Sequence, residues 1–315
     1  MISNTAISIE GLTRSYGGEM PAVDSISLSV QTGSVYALLG PNGAGKTTTI
    51  SMLSTLLRPT SGTAKVAGLD IVREPGKVRR KIGTTFQEIV LEPDFTGREN
   101  LDYHARLYGM KKAERSGKIK ELLALVELEE VADRPVKTYS GGMKRRLELA
   151  RGLVADPEIL ILDEPTQGLD PQNRTKIWEY IKSRQEQKGI TVLLTTHYMD
   201  EAEAVSDRVG IIDRGKIMAE GTPRELIDQM GSDGIRLKGT GDKVTLIRTL
   251  KDLPFVETVE AIGDMVQIGV DSGNRRLAEV VEKAFGCGYR IEDITLSKPT
   301  LEDVFLKHTG RHLRD

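Results

Sequence analysis

Ile159-Leu160-Ile161-Leu162 carries no polar residue, and neither does Val192-Leu193-Leu194 within 191–196. Apolar runs this short suit strands buried on both faces of a parallel sheet. Val35-Tyr36-Ala37-Leu38-Leu39 is a third such run. Elsewhere apolar and polar residues alternate. Ile7 and Ile9 within 2–10, and Ile26, Leu28 and Val30 within 23–30, predict half-buried strands. Residues 82–86 read as a short strand ending at Gln87. Residues 47–57 have helical spacing, and so does the chain from 93 to about 155. There Leu101, Ala105 and Tyr108 share one face, Ile119, Leu122, Leu123 and Val126 another, and Met143, Leu147, Ala150 and Val154 a third. The stretches 209–212 and 216–219 flank Asp213-Arg214-Gly215 as a terminal hairpin would. Strands alternating with helices predict an α/β sheet.

Near 229–234 the chain turns polar and glycine-rich, which predicts a linker dividing 1–231 from 232–315. Beyond it, Val266, Ile268 and Val270 alternate like a strand, while Leu277, Val280, Val281 and Ala284 fit a helix face. Leu301, Val304, Phe305 and His308 fit a last short helix, with Thr300 as N-cap and Asp303 three residues on. This second part reads as a small α+β unit. It has no catalytic constellation and is expected to dimerise or regulate.

Composition adds limits. Of 315 residues, 38% are apolar and 29% charged, with a net charge of −2, so nothing global asks for nucleic acid or an anionic membrane. The basic runs Lys77-Val78-Arg79-Arg80-Lys81 and Lys144-Arg145-Arg146 are expected on solvated helix faces. Cys287 is the only cysteine, which excludes an intrachain disulfide and agrees with a reducing compartment. No charged leader precedes a long apolar segment, and no apolar run approaches the roughly 18 residues of a spanning helix. The expected location is cytoplasmic, with any membrane role carried by a separate chain.

The richest chemistry follows the 35–39 run. Gly40-Pro41-Asn42-Gly43-Ala44-Gly45-Lys46-Thr47-Thr48 fits G-x-x-x-x-G-K-[ST] between a predicted strand and a predicted helix. Gly40, Gly43 and Gly45 let the backbone turn tightly, and successive N–H groups around Asn42 point inward. Such a nest at a helix N-terminus binds anions before any side chain contributes. Lys46 adds a point charge for β- and γ-phosphates, and Thr47, with Thr48 beside it, offers a hydroxyl to Mg²⁺. Asp163-Glu164 directly follows the buried run at 159–162, at the strand end that faces the ligand crevice of an open α/β sheet. Asp163 can hold Mg²⁺, and Glu164 can polarise a water for attack on the γ-phosphate.

Further motifs come in one order. Ser140-Gly141-Gly142-Met143-Lys144 resembles the signature loop of ATP-binding cassette ATPases, and Thr166-Gln167-Gly168-Leu169-Asp170 resembles their D-loop. Gln87 stands where the Q-loop glutamine falls, His197 where the switch histidine falls, and Tyr16 where an aromatic residue stacks on adenine. The resemblance covers roughly 2–231. It implies a P-loop NTPase fold: a RecA-like parallel sheet, an N-terminal antiparallel β subdomain and a helical signature subdomain at about 93–155. One departure is the loop itself, Tyr139-Ser140-Gly141-Gly142-Met143, where the commonest form is Leu-Ser-Gly-Gly-Gln. Ser140, Gly141 and Gly142 would touch phosphate and are intact, so activity is expected to survive. Asp94-Phe95-Thr96-Gly97-Arg98-Glu99-Asn100-Leu101, Thr195-Thr196-His197-Tyr198-Met199-Asp200-Glu201-Ala202 and Lys298-Pro299-Thr300-Leu301-Glu302-Asp303-Val304-Phe305 make the chain similar to the daunorubicin-resistance type of exporter ATPase.

The resemblance implies ATP and Mg²⁺ as ligands and a peripheral place at the cytoplasmic face of the cell membrane. It also implies a separate transmembrane permease and a nucleotide-dependent head-to-tail dimer. Across that dimer Lys46, Thr47, Asp163, Glu164, Gln87 and His197 of one chain would face Ser140 and Gly142 of the other. Gln87 and Asp163, with Thr47, would serve the metal. Glu164 would be the base, His197 would hold the attacking water, and Leu91 and Phe95 would meet the permease. The alternative is a soluble mechanical ATPase acting on DNA or ribosomes. DNA-organising relatives need a long heptad insertion, whereas here roughly a hundred residues without sustained heptads separate P-loop from signature. Ribosome-associated relatives carry two cassettes, and this chain shows one P-loop. No Asn-Lys-x-Asp motif supports a GTPase, and the full catalytic set argues against a partner that only binds nucleotide.

Overall fold

A computed structural model describes residues 4–18, 20–230 and 233–310. Its described residues divide into two compact units, one ending at Pro223 and the other beginning at Arg224. The division expected at 231/232 falls on Gly231 and Ser232, which lie outside the described residues, as do Ile2 and Ser3 of the first expected strand.

The first unit runs β1 (Thr5–Arg14), β2 (Val23–Gln31), β3 (Val35–Leu39), α1 (Lys46–Leu53), β4 (Ser61–Val66), β5 (Leu69–Asp70), α2 (Pro75–Lys81) and β6 (Ile82–Thr85). A helical stretch follows: α3 (Gly97–Leu107), α4 (Lys112–Leu125) and α5 (Gly141–Leu153). Then come β7 (Ile159–Asp163), α6 (Pro171–Lys188), β8 (Thr191–Thr196), α7 (Met199–Val205), β9 (Arg208–Asp213), β10 (Lys216–Gly221) and α8 (Pro223–Asp228). From Arg224 onward α8 belongs to the second unit.

Two sheets build the first unit. One has the order β2-β1-β4-β5 and is antiparallel. The other has the order β10-β9-β3-β8-β7-β6, with every pair parallel except the β9–β10 hairpin. Every residue of β3, β7 and β8 is buried, as unbroken apolar runs require of strands covered on both faces. β2 instead alternates buried and exposed residues, so only one of its faces meets the core. Ile7, Leu12, Ile26, Leu38, Ile50 and Leu53 share one apolar cluster spanning both sheets and α1.

Helix ends follow their caps. Thr96 and Glu99 form a capping box at α3, Ser140 caps α5, and Asp170 caps α6, which opens on Pro171 and closes at Gly189 in the left-handed region. α1 stops at Leu53, short of the expected 57, and Thr55 behind it has φ +64. Tyr108 is the C-cap of α3 and exposed, not part of the Leu101–Ala105 face.

The second unit continues with β11 (Asp233–Thr240), α9 (Lys243–Lys251), β12 (Val256–Ile262), β13 (Met265–Val270), α10 (Gly273–Gly286), β14 (Arg290–Ser297) and α11 (Leu301–Thr309). Its antiparallel sheet has the order β12-β13-β11-β14, the ferredoxin-like split β-α-β. Ile235, Leu237, Val266 and Ile268 on the sheet pack with Leu246 of α9 and Val280 of α10. Thr300 and Asp303 cap α11 reciprocally, as their spacing predicts.

Candidate functional site

β3 ends at Leu39 and α1 begins at Lys46, so 40–45 is a loop between a buried strand and a helix N-terminus. Gly45 has φ +109, and a Cβ there would stand 2.5 Å from the Ala22 carbonyl oxygen. Only glycine fits both constraints. Lys46 is 5% exposed. Its Nζ donates to Gly40 O at 2.7 Å and Pro41 O at 3.1 Å, and lies 3.3 Å from Glu164 Oε1. Burial pulls this ammonium's pKa down, while the charges of Glu164 and Asp163 pull it back up. A cavity of about 430 Å³ opens over the loop, lined by Asn42, Gly43, Gly45, Lys46, Thr47 and Thr48 with Ala22, Pro41, Gln87 and Glu164.

The opposite wall comes from strand ends. Asp163 closes β7 with no exposed surface. Its Oδ1 accepts from Thr195 Oγ1 at 2.5 Å, and its Oδ2 is buried without a hydrogen-bond partner. Glu164 has φ +47, a left-handed conformation that costs a non-glycine residue about 1–3 kcal/mol. Its N–H donates to Thr195 Oγ1 at 3.0 Å, and its Oε2 lies 3.1 Å from His197 Nδ1. Burial pushes the Glu164 carboxyl up, but His197 and Lys46 outweigh it and hold the pKa below the ordinary value. Glu164 is therefore ionised at neutral pH. β8 lies between β3 and β7, so the carboxyl ends of adjacent parallel strands bring Lys46, Glu164 and His197 together.

Gln87 follows β6, is exposed, and donates from Nε2 to Gln167 Oε1 at 3.2 Å. Among the described residues no group of three or more His, Cys, Asp or Glu side chains is placed to hold a metal ion. Mg²⁺ needs no such cage where it takes one or two protein ligands beside phosphates and waters. The orphaned Asp163 Oδ2, the Thr47 hydroxyl and the Gln87 amide oxygen are the hard donors such an ion accepts.

Other expected residues stand apart from this cavity. Tyr16, Ser140, Gly142 and Asp170 do not line it. Tyr16 is 64% exposed, with the Arg14 guanidinium 4.7 Å from its ring centroid, so one ring face already has a cation over it. Ser140 is exposed and accepts from Met143 N at 3.2 Å. Asp170 Oδ1 accepts from Asn173 N at 3.0 Å, a capping role at α6. The Tyr139 departure has a local reason: its hydroxyl donates to Val131 O at 2.7 Å, and a Cβ on Gly97 would meet that hydroxyl at 2.5 Å.

One expectation fails. Arg145, expected on a solvated helix face, is 5% exposed. Its guanidinium donates to Phe86 O (2.6 Å), Asp163 O (2.8 Å), Glu164 O (2.5 Å) and Pro165 O (3.0 Å). Four carbonyl dipoles replace the water that a surface arginine would keep. Glu201 was also missed as a site residue. It accepts from Thr166 Oγ1 at 2.6 Å and lies 3.4 Å from Arg174 Nη1, while Arg174 covers the Tyr198 ring at 3.9 Å. This joins the D-loop to the segment after His197. No periodicity marks either residue, since their partners are remote in sequence.

The ABC transporter family profile matches residues 23–167, and a DrrA1-3-like C-terminal domain profile matches 221–309. The daunorubicin resistance ATP-binding protein DrrA3 of Streptomyces coeruleorubidus is 39% identical over 98% of this chain and 97% of its own. A Nod factor export ATP-binding protein of Ralstonia nicotianae is 42% identical over 99% and 96%. Among solved structures, a dimeric ATP-binding cassette in a post-hydrolysis state with ADP and phosphate aligns with TM-score 0.64 and 29% identity, covering 69% of this chain and 98% of that one. A relative so similar along almost the entire chain settles kinship: the chain belongs to the ABC transporter family, as an ATP-binding subunit of the branch with a DrrA1-3-like C-terminal domain.

Proposed function

We propose that this chain hydrolyses ATP with Glu164 as base and uses the energy to drive export of a drug- or lipid-like molecule through a separate membrane-spanning permease. The observation that carries this reading is the pair Lys46–Glu164 in the lining of the P-loop cavity, with His197 Nδ1 behind it, 3.1 Å from Glu164 Oε2. Relatives named for daunorubicin resistance and for Nod factor export support an export reading. Among the described residues no helix is long and apolar enough to cross a membrane, so the pathway is assigned to a second chain at whose cytoplasmic face this one docks. Exposed Ile89, Val90 and Phe95, the last edge-on to Tyr103 at 6.1 Å, offer an apolar docking surface beside Gln87, with half-buried Leu91 among them.

In the proposed reaction the loop N–H groups and Lys46 hold the β- and γ-phosphates, with the γ-phosphate taking the place of Glu164 beside the ammonium. Asp163, Thr47 and Gln87 would hold Mg²⁺, which neutralises phosphate charge when bound. Glu164 takes a proton from the water whose oxygen attacks the γ-phosphorus as the bond to the ADP oxygen breaks. A positioned base of this kind is worth about 10²–10⁴ in rate. His197 orients that water, and its Nδ1 keeps the Glu164 carboxylate ionised. Ser140, Gly142 and the α5 N-terminus of a second chain close over the γ-phosphate, with Tyr16 against adenine and Asp170 at the dimer seam.

The test is capture of tagged Glu164→Gln chain, with MgATP, from detergent-solubilised native membranes. The expected result is turnover lowered about 10²–10⁴-fold, an ATP-dependent dimer, and a stoichiometric multi-spanning protein. Turnover equal to wild type removes Glu164 as base. Recovery of ribosomes or DNA without a membrane chain replaces the transport reading by a soluble mechanical one.

A further inference from the structure

Glu164 sits in a conformation that glutamate avoids, with φ +47. Such a residue persists only where its surroundings over-determine it. Thr195 holds the Glu164 N–H, and the Arg145 guanidinium supplies the constraint on the carbonyl side, because its donors reach the three consecutive carbonyls of Asp163, Glu164 and Pro165. A planar fork fixes both spacing and direction of its acceptors, which a lysine ammonium cannot do. The same guanidinium donates to Phe86 O, the residue before Gln87. One turn along α5, Glu148 is fully buried and its Oε1 accepts from Val90 N at 2.8 Å. The two side chains therefore grip both flanks of the 87–89 segment, and one of them also grips the catalytic turn.

We propose that Arg145 is a positioning residue for ATP hydrolysis: from the signature helix α5 it holds the strained Asp163–Glu164–Pro165 turn in register with the Gln87 segment. Glu148 completes the grip. A displacement of 87–90, which carries the exposed Ile89 and Val90, is thereby transmitted to the backbone of Glu164 without passing through the nucleotide. This rests on the reading of Glu164 as catalytic base. Arg145 meets the cavity's lining only at the Glu164 backbone carbonyl and does not itself line the cavity, so its contribution is expected in kcat more than in nucleotide affinity.

The full-length chain is compared with Arg145→Lys and Glu164→Gln, measuring MgATP turnover, MgATP affinity and thermal midpoint. A misplacement of about 1 Å costs about 10²-fold in rate, so Arg145→Lys is expected to lower kcat about that much. Its MgATP affinity should stay within about threefold, the pattern of an interaction that matters in the transition state only. Turnover near wild type, or equal losses of affinity and thermal midpoint, overturns the proposal. If Glu164→Gln keeps wild-type turnover, the base assignment fails instead; if it loses turnover while Arg145→Lys does not, only this inference fails. Should Arg145→Lys not fold, hydrogen exchange on the wild-type chain decides. Peptides covering 86–90 and 163–166 gaining protection at one MgATP midpoint support the coupling, and separate midpoints overturn it.

Discussion

The nucleotide cradle and the signature loop belong to the same unit but differ in almost every physical respect. In the cradle, Lys46, Asp163 and Glu164 are buried, with Lys46 Nζ 3.3 Å from Glu164 Oε1 and Asp163 Oδ1 accepting from Thr195 Oγ1. At the signature loop, Ser140 and Gly141 are exposed, and the Ser140 side chain caps its own helix by accepting from Met143 N. Buried charge is tolerated only where partners are supplied, so the cradle is complete within one chain. An exposed helix N-terminus with a small hydroxyl and two glycines is half of an anion site. The comparison teaches that the cradle is furnished within one chain, while the signature loop, on the proposed function, would complete its anion site with another molecule's phosphate.

Mixing two inactive chains breaks or sharpens that reading most severely. Lys46→Ala damages the cradle and Gly142→Asp sets a carboxylate at the α5 N-terminus, and each is expected to lower turnover by about 10²–10³. In a head-to-tail pair of the two variants, one site combines both lesions and the other has neither. Mixing should therefore restore turnover, read as phosphate release against each variant alone at the same total concentration. No recovery on mixing places cradle and signature in one chain's site and ends the half-site argument.

The same contrast explains what could be read from sequence. The cradle was legible because backbone nests, a lysine and strand-end carboxylates have fixed local spacings, and because β3, β7 and β8 are unbroken apolar runs. The strands β4, β12 and β14 were not, since most of their residues face solvent and the apolar period is faint. Arg145 was misread for the same reason that β7 was read correctly. Local polarity predicts exposure, and only the distant carbonyls of Phe86 and 163–165 reverse it. The Tyr139 anchor was likewise visible only as an oddity until Val131 O and Gly97 were found beside it.

That anchor sharpens the comparison at an intermediate scale. A Cβ at Gly97 would lie 2.5 Å from the Tyr139 hydroxyl, so Gly97→Ala must displace the residue that precedes Ser140. Overpacking of this kind costs about 1–3 kcal/mol. Turnover should fall while MgATP affinity, a property of the cradle, stays. Adding Tyr139→Phe removes the clashing oxygen and should recover part of both stability and turnover, at the expense of a hydrogen bond to Val131 O worth about 1 kcal/mol. Chemical denaturation and steady-state kinetics on the double variant check this, and failure of Tyr139→Phe to relieve Gly97→Ala rejects the contact as the cause.

The smallest effect separates what the signature serine does for its helix from what it does for phosphate. Ser140 and Thr300 hold equivalent places: each accepts from the N–H three residues on, at 3.2 Å and 3.4 Å, and each starts a helix. Replacing either by alanine should cost about 1 kcal/mol, within the range for lost N-caps. Thr300 belongs to the second unit, where no P-loop residue lies, so Thr300→Ala should leave turnover per folded chain unchanged. Ser140→Ala loses the same stability and, on the proposed dimer, a hydroxyl that would meet the other chain's phosphate, so its turnover should fall further than its stability explains. Equal turnover in the two variants would reduce Ser140 to a helix cap and leave the backbone N–H groups of Gly141 and Gly142 as the phosphate donors of that half-site.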